Sequence, residues 1–219
     1  TKTKLDGTVI WQKKGLFGQD TTVYKPTWHA VPPNSEFTYL CDGYGSNQVY
    51  EFDTRGNFLN KTWGGPSKTK GPTAELGKFS TNHGCTFDPR IPDTPTVVVS
   101  DRANSRFQLC AIDPKNGGKF DCKKSINMQP YLGAGSLPCN LRMYPKQEGR
   151  AITPDLAGPV GVLDESNKVI SVVNVSVLLA EQQHKHPHDA IFLPNGDMVV
   201  ATWAPGRISY WKRLPNDTN

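Results

Sequence analysis

The stretch PTWHAVPPNSEFTYLCDGYGSNQVYEFDTRGNFLNKTWGG, residues 26–65, alternates strand-like and turn-like runs. A short strand meets a Pro-bearing turn, and an apolar strand follows that ends in Asp42. After a loop with Gly and Ser comes an alternating strand closed by Asp53, then a Gly turn and a last strand. A second stretch, TNHGCTFDPRIPDTPTVVVSDRANSRFQLCAIDPKNGGKFDCKKS (81–125), repeats the layout, with Asp101 and Asp113 in the places of Asp42 and Asp53. A repeated four-strand meander of roughly 45 residues is the unit of a β-propeller blade.

Outward from these two copies the pattern loosens. A third copy begins PCNLRMYPKQEGRAITPDLAGPVGVLDESNKVISVVNV and occupies about 138–178. The fourth, PHDAIFLPNGDMVVATWAPGRISYWKRL (187–214), stops after its third strand. The opening LDGTVIWQKKG (5–15) reads as an isolated outer strand, or else as a stray hairpin arm. The expectation is an all-β chain, a single β-propeller domain over 1–219 with about four blades, at 26–65, 81–125, 138–178 and 187–214. Inner strands should begin near residues 27, 83, 139 and 188. Two closures are open: a four-bladed ring completed by the N-terminal strand, or part of a six-bladed ring lacking its N-terminal blades. In the second case the missing blades or another chain must close the arc, because open strand edges invite aggregation.

A chain of 219 residues can bury a substantial core. Gly 20 and Pro 18 indicate frequent turns and little helix. No apolar run is long enough for a membrane span. The net charge of +5 is diffuse, and without an aromatic–basic motif it argues against nucleic acid as a partner. TKTKLDG has neither an initiator methionine nor an apolar leader, which reads as a processed chain or a piece of a longer one.

The cysteines (41, 85, 110, 122 and 139) occur with N-x-S/T sequons at Asn60, Asn174 and Asn216. Together they point to a secreted or extracellular protein, or one of the secretory-pathway lumen. Cys110 and Cys122 lie symmetrically about Asn116 in a hairpin, where opposed residues approach closely enough for a disulfide. Cys85 and Cys139 either pair or stay buried, and Cys41 reads as a free core thiol. Asn60 and Asn174 fall on outermost strands, where glycosylation is tolerated.

The motifs CDGYGSNQVYEFDTRGNFLNKTWGG, VVSDRANSRFQL and HPHDAIFLPNGDM resemble those of NHL-repeat propellers, and more narrowly of peptidyl-α-hydroxyglycine α-amidating lyase. The likeness runs from about residue 16 to 213. It implies six blades and a channel zinc held by histidines, two of which match His83 and His188. The family's first zinc histidine would lie upstream of this chain. Tyr44 and Arg102 match its catalytic tyrosine and arginine, and Asp189 matches an aspartate that binds a structural calcium. The implied substrate is a peptide ending in α-hydroxyglycine, cleaved to peptide amide and glyoxylate.

The meander supports a shared location for these residues. The start of strand one and the end of strand two meet at one rim, so His83, His188, Tyr44 and Arg102 should reach one face. Two positions depart from the family pattern: Asn82 replaces a proline, and His186 replaces a methionine. His186 is either an extra metal ligand, on the same side as His188 if the segment is extended, or an exposed loop histidine. His184 reads as solvated. His29 either faces the channel or bonds backbone at the core edge. Arg102 has the alternative of pairing with Asp101. Two other readings stand beside the lyase: a non-catalytic extracellular propeller that binds a protein partner, and a lactonase-type calcium site built from Glu, Asp and Asn.

Overall fold

The computed structural model describes residues 1–12 and 24–214. Three antiparallel four-stranded sheets and one three-stranded sheet follow one another as propeller blades. Blade one holds β3 (Trp28–Ala30), β4 (Phe37–Cys41), β5 (Gln48–Asp53) and β6 (Phe58–Gly64). Blade two holds β7 (Asn82–Asp88), β8 (Thr96–Asp101), β9 (Arg106–Ile112) and β10 (Phe120–Asn127). Blade three holds β11 (Arg142–Tyr144), β12 (Arg150–Pro154), β13 (Pro159–Leu163) and β14 (Val169–Asn174). Blade four has β15 (Pro187–Phe192), β16 (Met198–Thr202) and β17 (Arg207–Trp211). The helices described are single turns, Gln129–Leu132 and Val175–Leu178, and none is long and apolar enough to cross a membrane.

Blades stack because strand side chains alternate faces with a period of two. In β8, Val97 and Val99 enter an apolar cluster with Tyr39, Cys41 and Val49 of blade one. Val98, between them, turns the other way and joins Leu141, Ala151 and Leu163 of blade three. In β12, Ala151 faces blade two while Ile152 packs with Ala190, Met198 and Val200 of blade four. Central strands are thus apolar on both faces, which is why VVV in β8 is a continuous run.

Polar residues finish the strand ends. Asp42, Asp101 and Asp155, each closing or following a second strand, are fully buried and accept backbone or side-chain hydrogen bonds from the loop that follows. Asp101 is the most heavily used. It accepts from the Ser80 amide at 2.6 Å, from Arg106 Nε at 2.8 Å and from Gln108 Nε2 at 3.0 Å. Arg106, 1% exposed, also donates to the carbonyls of Ala74 and Glu75, pinning the connection between blades one and two.

Cys110 and Cys122 are register partners in the β9–β10 hairpin and form a disulfide. Cys41, Cys85 and Cys139 are free and buried. Asn60 on β6 and Asn174 at the end of β14 are exposed, and Asn216 lies outside the described residues.

Two expectations need correction. Within 5–15, the described strand β2 (Val9–Trp11) pairs with β1 (Lys2–Thr3) in a small hairpin and joins no blade. The Trp11 indole occupies the space that a Cβ on Gly56 would need, so the hairpin rests on a turn of blade one. In blade three the inner strand begins at Arg142, not near 139, preceded by a single bridge from Pro138 to Asp155.

Removing Arg106 leaves the Asp101 carboxylate buried without its cation. Arg106→Met should therefore lower stability by about 3–5 kcal/mol in urea denaturation. A loss below about 1 kcal/mol would contradict the role given to this pair.

Candidate functional site

Tyr44 follows Asp42 in the tight turn leaving β4, and Arg102 follows Asp101 in the turn leaving β8. His83 and His188 are second residues of the first strands β7 and β15. These four side chains, from blades one, two and four, line one cavity of about 630 Å³ together with Thr27, Leu156 and Trp203.

Their contacts form a chain. The His83 and His188 rings meet edge to face with centroids 5.0 Å apart. Tyr44 stands edge-on to His83 at 5.5 Å. Arg102 Nη1 donates to Tyr44 Oη at 3.1 Å, and its guanidinium carbon lies 5.2 Å from the Tyr44 ring centre. Arg102 does not pair with Asp101, because Arg106 already holds that carboxylate. Among the described residues it forms no ion pair, so its charge faces the cavity unneutralised.

His83 is 3% exposed, and its Nδ1 lies 3.0 Å from the carbonyl oxygen of Cys139. With Nδ1–H as donor, Nε2 keeps its lone pair for a ligand, the arrangement by which metal-binding histidines are oriented. Burial, the positive charge of Arg102 and the neighbouring His188 push its pKa down to about 4, against the bond to Cys139. His188 is lowered by burial first and by Arg102 second. Both imidazoles are therefore neutral near pH 7, the form that binds metal.

The Sγ of Cys139 joins them. One donor atom each from His83, Cys139 and His188 lies within 4.8 Å of the others. Burial pushes the Cys139 thiol up to about 12, so an ion taken up by the sulfur has to displace its proton. Two imidazoles and a thiol fit zinc. Sequence patterning put Cys139 near an inner strand but gave it no metal role, since its approach to His188 depends on how blade four packs.

Asp189 does not fit calcium: Arg142 Nε and Nη2 grip its carboxylate at 2.9 and 2.6 Å, and Asn140 and the Ala190 amide donate to it as well. His186 has a positive φ of 56°, so the segment is not extended there, and its ring lies 6.1 Å from that of Trp203. It is exposed, and its Nδ1 lies 2.8 Å from the Leu156 carbonyl oxygen. His184 is not solvated but buried, because the helical turn before it folds back and its amide donates to Leu179 O. His29 lines a neighbouring cavity of about 400 Å³ with Trp28, Arg142 and Tyr144.

No known family profile matches the chain. Among solved structures it is similar to a protein of unknown function from Bacteroides caccae, at 16% identity and a TM-score of 0.55 over 92% of this chain and 62% of that one. A candidate 6-phosphogluconolactonase from Bacteroides uniformis is similar at 16% identity and a TM-score of 0.60, over 85% of this chain and 53% of that one. Hydrazine synthase of Kuenenia stuttgartiensis matches at 16% identity and a TM-score of 0.52, over 88% and 54%. Such likeness establishes the fold alone. The chain spans between 53% and 62% of the length of these proteins.

The depressed pKa of His83 sets a pH dependence. In the metal-free protein the unfolded chain binds a proton below about pH 6.5 that the folded protein refuses until about pH 4. Stability should therefore be complete above about pH 6.5 and fall as pH drops through that window, by about 2 kcal/mol at about pH 5 from His83 alone. Denaturant midpoints at about pH 8 and about pH 5 measure this. The drop should shrink in His83→Gln, and an equal drop in the variant would contradict the assignment.

Proposed function

We propose that this chain carries the zinc-binding face of a lyase-like NHL propeller, closed into a six-bladed ring by blades outside the segment. Its reaction is the cleavage of peptidyl-α-hydroxyglycine to peptide amide and glyoxylate. The observation that carries this reading is the convergence of Tyr44, His83, Arg102 and His188 on one cavity from three blades. Antiparallel geometry puts them on one rim, and the packing of the blades brings them into one cavity.

Each side chain has a part in the chemistry. Zinc bound by His83 and His188 would polarise an oxygen of the substrate. The planar fork of Arg102 suits the carboxylate of the α-hydroxyglycine, which it would hold beside the imidazoles. Tyr44, already oriented by Arg102, would act as a phenolate and take the hydroxyl proton. The O–H electron pair then forms the carbonyl of glyoxylate as the carbon–nitrogen bond breaks. The nitrogen keeps that bond's electrons, takes a proton and leaves as the peptide amide.

A lactonase-type calcium centre is the alternative reading, and a candidate lactonase is among the similar structures. The donors here argue against it. Among the described residues, the grouping able to hold a metal consists of nitrogen and sulfur donors, which suit zinc, where calcium takes oxygen.

The test combines metal content with turnover of a peptidyl-α-hydroxyglycine by the full-length protein. His188→Ala should lower bound zinc and turnover together, while His29→Ala, in the neighbouring cavity, should change neither. Tyr44→Phe should keep the zinc and reduce turnover by about 100-fold or more. Zinc at full occupancy without turnover would contradict the lyase reading, and absence of zinc would leave a propeller that serves as a docking module.

A further inference from the structure

We propose that Cys139 is a third protein ligand to the metal, so that blades two, three and four complete a site of two nitrogens and one sulfur without an upstream histidine. The proposal rests on the zinc reading above but makes a separate claim about which atoms hold the ion. Three observations carry it.

The first is position: the Cys139 sulfur, His83 and His188 each place a donor atom within 4.8 Å of the other two. Zinc ligands at about 2.0–2.3 Å from one ion lie roughly 3–4 Å apart, so the set needs only a small closure. The second is surroundings. Cys41 and Cys85, the other free thiols, sit in the apolar cluster between blades one and two. Cys139 is just as buried, yet it belongs to none of the three apolar clusters. Its sulfur lies instead 3.7 Å from Pro187 O, in the residue before His188.

The third is bracing. The carbonyl of Cys139 is the group that orients His83 through Nδ1, so one residue would supply a ligand and fix another. Gly84 keeps this arrangement close, since a Cβ there would come within 2.6 Å of Cys139 O. A thiolate beside two imidazoles selects a borderline-soft ion such as zinc over magnesium or calcium. With three protein donors a zinc ion would keep a fourth position for substrate, in a cavity that Tyr44 and Arg102 also line.

Cobalt(II) added to the chelator-stripped full-length protein reads out the sulfur directly. One equivalent should give a thiolate-to-cobalt charge-transfer band, absent in Cys139→Ser and in His188→Ala. Cys139→Ser should also bind zinc at least about tenfold more weakly, the lower end of what losing even an outer partner costs. Because Cys139 is buried and its replacement could disturb the blade, the unaltered protein decides if the variant fails to fold. Cobalt bound without the band overturns the sulfur ligand while leaving a histidine site standing. No cobalt bound at all overturns both.

Discussion

The backbone of blade two touches the chain entering blade three at Gly84, and the site depends on that contact. A side chain at residue 84 would collide with the Cys139 carbonyl and with Asn140. Because glycine leaves the space empty, the Cys139 carbonyl comes within hydrogen-bonding distance of His83 Nδ1. The same approach draws the Cys139 sulfur toward Pro187 and so toward His188. One close crossing of two blades therefore sets the tautomer of one imidazole and the location of a thiol. It also fixes their distance to the second imidazole.

Around this crossing the electrostatics are asymmetric. Asp101 and Asp155 beneath the rim are consumed by structural bonds, and Asp189 by Arg142. What reaches the cavity is a cation, Arg102, with neutral imidazoles and the Tyr44 ring. Such a lining attracts an anionic group and disfavours protonated histidine, both useful where a metal and a carboxylate share a pocket. The division of labour between Arg106 and Arg102 makes it possible: one arginine neutralises the buried aspartate, freeing the other.

Much of the fold was legible because a propeller writes itself in period two. The doubled pattern of strand, turn and terminal aspartate in 26–65 and 81–125 gave the meander, and the symmetry of Cys110 and Cys122 about a turn gave their register. In blade three the repeat placed the first strand too early, since it begins at Arg142 after a single Pro138–Asp155 bridge. Of the cavity, Tyr44, His83, Arg102 and His188 could be placed on one rim from antiparallel geometry. Cys139 could not, because its closeness to His188 arises from packing between blades, which strand periodicity does not encode. For His184 local patterning misled, because a helical turn precedes it and it is buried, whereas His186 is the exposed loop histidine that one of its two readings allowed.

The identity of the atoms around the proposed zinc decides most here, and X-ray absorption at the zinc edge of the full-length protein, purified without added metal, measures it directly. One sulfur at about 2.3 Å and two imidazole nitrogens at about 2.0–2.1 Å are expected, with one further light ligand in the open position. A shell of oxygens and nitrogens without sulfur, or protein that carries no zinc, would contradict a centre built on His83, Cys139 and His188.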